Sequence, residues 1–317
     1  MRKILITGGA GNIGGSLARR LVQDPGNTVV IVDNLLTGSA AKLPDAKQRN
    51  WKFVRADVNT FNDIAPVVIS GGFHTIFHYA AVVGVQRTLA NPRQVLNDID
   101  GIRNILDLAK NTGVERVFYS SSSEVYGEPV EVPQVEATTP LNSRLPYAIV
   151  KNVAEAFCRS YQQEYGLDYT VFRFFNTYGP LQSEDFVISK FIGLALRGEP
   201  LTIYGDGSQT RTFCYIDDNL DATLAAMAEG RFVNDVVNIG SDLEVSIREL
   251  AALVLKVTGS KSKMVQAPPL KEGDMSRRKP DIGKMKSLIG RELLPLEEGI
   301  RRTADFLRAE AGGEKIR

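Results

Sequence analysis

Ile4-Leu5-Ile6-Thr7 runs directly into Gly8-Gly9-Ala10-Gly11-Asn12-Ile13-Gly14, and a helical pattern starts before those glycines end. A turn this tight from an apolar run into a helix suits the first crossover of an α/β sheet. The rest of the first half repeats the alternation. Lys3–Thr7, Thr28–Val32, Trp51–Arg55, Thr75–His78, Arg116–Ser121 and Tyr169–Phe174 read as strands. The most apolar of them lack polar alternation, as strands buried on both faces do. Between them, Ile13–Gln23, Thr60–Val68, Pro92–Asn111 and Pro146–Glu164 carry helical periodicity. The expected fold is α/β, a doubly wound, Rossmann-like parallel sheet. After Pro180 the elements shorten, with helices expected at Phe186–Leu196, Ala222–Ala228, Ile247–Val257 and Leu296–Leu307. This divides the chain into a sheet domain, residues 1–180, and a smaller C-terminal α/β lobe, residues 181–317, with a soft boundary open to segments that cross between them.

Each glycine of the turn has a task. Gly8 allows the exit from the strand, Gly11 lets the backbone approach a pyrophosphate, and Gly14 lets helix pack on strand. The helix N-terminus then offers unsatisfied N–H groups and the positive end of its dipole to phosphates. Asp33 closes the second strand, where a carboxylate accepts from the adenosine ribose 2′-hydroxyl and repels a 2′-phosphate, so NAD is expected rather than NADP. Glycines also serve ordinary turns, and it is strand, turn, helix, strand and acidic end together that carry the reading. Asp57-Val58, after the third strand, reads either as an adenine contact or as an ordinary turn aspartate.

Composition narrows the function. Lys and Arg number 38 against 37 Asp and Glu, so charge gives no reason to expect nucleic acid or a membrane surface as partner. No run is apolar enough to span a membrane, and Met1-Arg2-Lys3 leads straight into a strand rather than a signal sequence. Cys158 and Cys214 make neither a disulfide framework nor a metal-ligand pattern, so no metal is expected and a cytoplasmic setting is. His74 and His78 are the only histidines, so proton transfer near neutral pH falls to other groups.

Tyr147 and Lys151 sit four apart on the helix after Pro146, on one face. An ammonium beside a phenol lowers a pKa that starts near 10, making a general base without histidine. The competing reading is an amphipathic helix with one aromatic and one surface lysine. Ser120-Ser121-Ser122-Ser123-Glu124 leaves the fifth strand at its carboxyl end, where open α/β sheets place ligands; a serine-rich turn is the alternative there.

With these motifs in order, the chain resembles the extended short-chain dehydrogenase/reductase superfamily, specifically its NAD-dependent nucleotide-sugar epimerases, dehydratases and decarboxylases. The resemblance spans nearly the whole length. It rests on Gly8–Gly14, Asp33-Asn34-Leu35, Asp57-Val58, His78–Ala81, Ser121–Gly127, Tyr147 with Lys151, Arg173–Asn176 through Pro180, Gly205–Arg211 and Arg277–Asp281. It implies NAD contacts at Gly8, Gly11, Asn12, Ile13, Gly14, Asp33, Asn34, Asp57, Val58, Ala80, Tyr147 and Lys151. It further implies Tyr147 as the base on a sugar 4-hydroxyl, Lys151 holding the nicotinamide ribose, and Ser122 bonding the 4-oxygen. Ser123, Asn176, Arg211 and Arg278 would meet the nucleotide-sugar, although a solvated charge run is a second reading of Arg277 and Arg278. His78 is read equally as a cofactor contact or as a satisfied strand-end histidine.

The segment Ser122-Ser123-Glu124 followed by Val125-Tyr126-Gly127 is most similar to UDP-glucuronate decarboxylases, with Glu124 catalytic and Arg278 as partner of the departing carboxylate. A UDP-sugar or UDP-uronate 4-epimerase and an NDP-glucose 4,6-dehydratase are the alternatives. A non-catalytic NAD-sensing protein and a dehydrogenase that releases NADH are readings of other classes. Two departures from the pattern stand out: Asp98, where relatives commonly carry asparagine, and Leu181–Phe191, which differs from the decarboxylases. Relatives often dimerise through a four-helix bundle, here Pro92–Asn111 and Pro146–Glu164, so a homodimer is expected.

Overall fold

The computed structural model describes residues 1–128, 130–268 and 277–311. Its first half builds β1 (Arg2–Thr7), α1 (Asn12–Leu21), β2 (Asn27–Asp33), β3 (Trp51–Arg55), α2 (Phe61–Gly71) and β4 (Thr75–His78). There follow α3 (Val85–Ala90), α4 (Pro92–Leu96), α5 (Asp98–Asn111), β5 (Arg116–Ser122), α6 (Pro146–Tyr165) and β6 (Asp168–Phe174). With Asp235–Ile239 these strands form a seven-stranded sheet, ordered from that strand through β6, β5, β4, β1 and β2 to β3. The ladders among β1 to β6 are all parallel. Strand order reverses between β1 and β4, where Thr7 pairs with His78. That is the point where a doubly wound sheet opens a crevice at its carboxyl edge.

The chain divides into two compact units, and not by a single cut. The first comprises Met1–Gly127, Pro140–Phe174 and Thr223–Asn238; the second comprises Glu128–Thr139, Phe175–Ala222 and Ile239–Arg317. In the first, Leu5, Val32, Ile76, Val117 and Val171 of the sheet pack with Ile64, Val68, Ile105 and Leu106 of α2 and α5. In the second, Val187–Arg197, Ile247–Thr258 and Leu296–Ala311 pack on one another. Small ladders join Leu201–Tyr204 to Met264–Ala267 and Thr210–Thr212 to Glu244–Ser246.

Two helices differ from the periodicity. The run expected as one helix over Pro92–Asn111 breaks at Asn97, where Asn97 N–H donates to Gln94 O at 3.3 Å and Asp100 N–H to Asn97 O at 2.9 Å, a tightened turn. The Asp98 carboxylate is turned aside there to accept the Val82 N–H. The helix expected from Ala222 begins earlier, at Ile216, because Asp217 and Asp218 favour its N-terminus.

One buried ion pair ties helix to sheet. Glu155 of α6 and Arg173 of β6 are 0% and 3% exposed and meet bidentately, Nε to Oε1 at 3.0 Å and Nη2 to Oε2 at 2.7 Å. Ser121 Oγ of β5 donates to the same Oε1 at 2.6 Å. Arg173 Nη1 donates to Tyr126 Oη at 2.8 Å, and Tyr126 Oη to Asn238 Oδ1 at 2.8 Å. Breaking such a pair leaves an uncompensated buried charge. Arg173→Met is therefore expected to destabilise the protein by about 3–5 kcal/mol, read from the shift in the urea unfolding midpoint.

Candidate active site

The glycine turn is as tight as its spacing requires. Gly8 has φ of 69°, and a Cβ there would stand 2.5 Å from Ala80 N. A Cβ on Gly14 would stand 2.4 Å from Gly8 O, and one on Gly11 3.1 Å from it. So the turn, β4's exit and the start of α1 are in backbone contact, and no side chain fits between them. Gly11 is the N-cap of α1 and gives it no side-chain cap, and its first turn holds no acid. The N–H groups and dipole at this helix end suit an anion. The Asn12 Oδ1 beside them is buried without a protein partner. Asp33 accepts Ala10 N–H at 2.9 Å on Oδ2 and Leu35 N–H at 2.8 Å on Oδ1. A carboxylate has capacity for further donors, and ribose hydroxyls supply them. The donor set fits an NAD dinucleotide: a helix N-terminus for the pyrophosphate and an acid for the ribose.

Asn34 Nδ2 donates to Asp57 Oδ2 at 3.0 Å, so the two residues expected near adenine are joined. Asp57 Oδ1 also accepts Asn59 N–H at 2.9 Å, an Asx turn, so the ordinary-turn reading holds for one oxygen. Val58 beside it is buried, and Asn104 of α5 donates to its carbonyl at 2.9 Å.

Pro146 occupies the first turn of α6 and starts the helix so that Tyr147 and Lys151 share a face. Lys151 is no surface lysine. It is 3% exposed, its Nζ donates to Ser120 O at 2.6 Å, and it stands 5.7 Å from the Tyr147 ring centroid. Burial pushes its amine down to about 8, while Asp98 and Glu155 pull the other way. His78 is buried against Thr7, Nδ1 to Oγ1 2.8 Å, and burial followed by the Lys151 charge pushes it down to about 3. It is neutral at working pH, a satisfied strand-end histidine.

The serine run divides its work. Ser120 Oγ donates to His78 O at 3.4 Å and Ser121 is taken by Glu155. Ser122 Oγ accepts Glu124 N–H at 3.2 Å, capping the single turn Ser123–Tyr126. A hydroxyl that accepts one bond still has its own proton to donate. Ser123 is buried and Glu124 is half-buried.

In the second unit, Asn176 has φ of 40° and its Nδ2 donates to Thr212 O at 2.9 Å, fixing its amide to the strand that carries Arg211. Arg211 is buried, with Nη1 donating to Thr210 O at 2.7 Å. The two arginines of the basic run part company. Arg277 pairs at the surface with Glu244, Nε to Oε1 at 2.6 Å, whereas Arg278 is 6% exposed. The charge-run reading fits Arg277 alone.

Sequence reasoning gave no role to Glu155, Tyr126 or Asn59. Glu155 lies one further turn along the face of Tyr147 and Lys151, a signal that spacing could have supplied. Nothing in the sequence marks Asn59 as a partner of Asp98.

Comparison with known proteins agrees with this arrangement. The NAD dependent epimerase/dehydratase family matches residues 4–240. UDP-glucuronic acid decarboxylase 1 of Xenopus tropicalis is 37% identical over 98% of this chain and 73% of its own. UDP-N-acetyl-alpha-D-glucosaminuronate decarboxylase of Bacillus cytotoxicus is 36% identical over 97% of this chain and 98% of its own. The structure of Thermotoga maritima UDP-glucose 4-epimerase with UDP-glucose superposes with a TM-score of 0.91 at 33% identity, covering 98% of this chain and 99% of that one. A glycine-built dinucleotide turn, a buried lysine under a half-buried tyrosine and this likeness over the whole sheet have one reading: the chain is an NAD-dependent enzyme of the epimerase/dehydratase family of nucleotide-sugar enzymes.

Proposed function

We propose that the protein decarboxylates UDP-glucuronate to UDP-xylose through transient oxidation at C4. The observation that carries this reading is the Ser122-Ser123-Glu124 segment capping the end of β5, together with Arg278 buried in the second unit. The two decarboxylases named above support it. Gly8, Gly11, Asn12, Ile13, Gly14, Asp33, Asn34, Asp57, Val58 and Ala80 would hold NAD, which when bound would supply a reversible hydride acceptor for C4 of the sugar. Tyr147 as phenolate takes the proton of the sugar 4-hydroxyl, and Lys151 as ammonium stabilises that phenolate. Ser122 donates to the 4-oxygen. With a ketone at C4, the C5–C6 bond breaks, carbon dioxide leaves, and the electron pair stays at C5 as an enolate. Glu124 relays a proton from solvent to C5, Ser123 binds the sugar, and Tyr147 returns its own proton to the 4-oxygen. Asn176, Arg211 and Arg278 hold the diphosphate and sugar carboxylate.

Incubation with UDP-glucuronate is expected to give UDP-xylose and carbon dioxide, read by product mass. UDP-galacturonate of unchanged mass would transfer the assignment to a 4-epimerase, and loss of water from an NDP-glucose to a 4,6-dehydratase. A steady build-up of NADH would mark a releasing dehydrogenase. Tyr147→Phe is expected to lower kcat by about 10²–10⁴-fold while NAD still binds, which separates an enzyme from an NAD sensor.

The pH dependence follows from Lys151. Its folded-state amine titrates at about 8, so the ammonium that stabilises the phenolate is present below that pH and lost above it. Turnover is expected to fall as pH rises through about 8, measured as kcat/KM against pH.

We also propose a homodimer formed by α4, α5 and α6, in the cytoplasm. Leu96 and Ile149 are exposed apolar residues on these helices, and Cys158 and Cys214 are buried and free, as a reducing compartment allows. Ile149→Glu is expected to yield a monomer by sedimentation.

A further inference from the structure

Lys151, Glu155 and Arg173 are buried in the first unit, Asp98 is half-buried at the start of α5, and their pairing is unequal. Glu155 spends its charge on Arg173, which meets both its oxygens. Lys151 meets neutral groups: the Ser120 carbonyl, the Tyr147 ring, and the Tyr119 ring 4.9 Å from its Nζ. Burial keeps His78 and Tyr119 uncharged beside it. Asp98, at the start of α5, accepts only neutral donors as well: Val82 N–H at 2.8 Å on Oδ2 and Asn59 Nδ2 at 3.2 Å on Oδ1. Asp57, the other acid facing Asp98, is bonded by Asn34 and the Asn59 N–H. Among the described residues, then, Lys151 is a buried cation and Asp98 a half-buried anion, each without a direct ionic partner. The Val82 that Asp98 bonds packs with Tyr147 and Val150 of α6, which flank Lys151 along the helix, so each charge lies in the field of the other.

We propose that Asp98 is a positioning residue for the base: its carboxylate is the counter-charge that keeps Lys151 an ammonium inside the protein, and so sets the pH range in which Tyr147 works. This rests on Tyr147 and Lys151 being the base pair, and not on which sugar the enzyme takes. Asp98 and Glu155 both favour the Lys151 proton, but both Glu155 oxygens are bonded by Arg173, whose positive charge offsets the Glu155 field. Burial pushes the Asp98 carboxyl up, and Val82, Asn59 and Lys151 hold it down. The sign of the effect is fixed by electrostatics. Removing a negative charge lowers the proton affinity of every group nearby, so the phenol and the ammonium both release protons at lower pH.

Asp98→Asn removes the charge with little change of shape. Its amide oxygen can still accept the Val82 N–H, and its NH2 meets Asn59, whose own Oδ1 is buried without a partner and accepts once that amide rotates. The readout is the ultraviolet absorbance of tyrosinate in the NAD-loaded protein without sugar, with the matching Tyr147→Phe protein subtracted to isolate Tyr147. The Tyr147 titration is expected to move about one pH unit lower in Asp98→Asn, and to stay in place in Asp98→Glu, which keeps the charge. Both limbs of the kcat/KM profile are expected to move the same way, whereas a merely structural role lowers the plateau without translating the limbs. A titration that stays put or rises in Asp98→Asn overturns the proposal, as does an Asp98→Glu protein that shifts as far as Asp98→Asn. Should Asp98→Asn fail to fold, Asp98→Ser carries the same expectation. Because the absorbance titration needs no sugar, it decides this inference even if UDP-glucuronate proves not to be the substrate.

Discussion

Glu155 and Arg173 form a charged pair inside a sheet protein, where desolvation makes any unmatched charge costly, so everything around them is held to a narrow geometry. α6 cannot rotate or slide without opening the bidentate contact. β5 is bound in through Ser121, and the turn after it through Tyr126. Tyr147 and Lys151 lie on the face of α6 that this pair locks, and Ser122 is the next residue of β5 after Ser121. The base and the hydroxyl proposed to share the sugar 4-oxygen are thus placed by an interaction in which neither takes part.

The crevice itself comes from topology. β1 and β4 part company at their carboxyl ends, where the chain turns out of β1 at Gly8 and passes Tyr79-Ala80 at backbone contact. A side chain at Gly8 or Gly14 would fill the space the dinucleotide needs and push α1 off the sheet. The two ends of the cofactor are then read by different chemistry. A helix dipole and N–H groups would meet the pyrophosphate, and the Asp33 carboxylate would meet the ribose. Asp33 itself is held by two backbone N–H groups, so it arrives pre-oriented.

Much of this was legible before folding. The glycine spacing, the strand-end Asp33 and the four-residue step from Tyr147 to Lys151 are short-range patterns with one geometric outcome each, and they come out where the spacing puts them. The serine run was legible only as a group. Which of Ser120, Ser121 and Ser122 faces inward depends on partners at His78 and Glu155, forty-two and thirty-four positions away. Asp98 was visible as an unusual residue, but its closeness to Lys151 needs α5 and α6 packed side by side. Likewise Arg277 and Arg278 are identical in sequence context, and only packing buries one and leaves the other on Glu244.

The sequence by itself determined the class of fold, the cofactor and the placing of the proposed base beside its lysine, because each is encoded within one turn of helix or one strand-to-helix junction, where local sterics leave little choice. Tertiary structure alone decided the charge environment of that base. Burial and unpaired opposite charges are properties of the packed interior, where the dielectric is low, and residues far apart in sequence supply them. Lys151 is buried, Glu155 one turn along α6 is already bonded to Arg173, and Asp98 is the acid proposed to balance it.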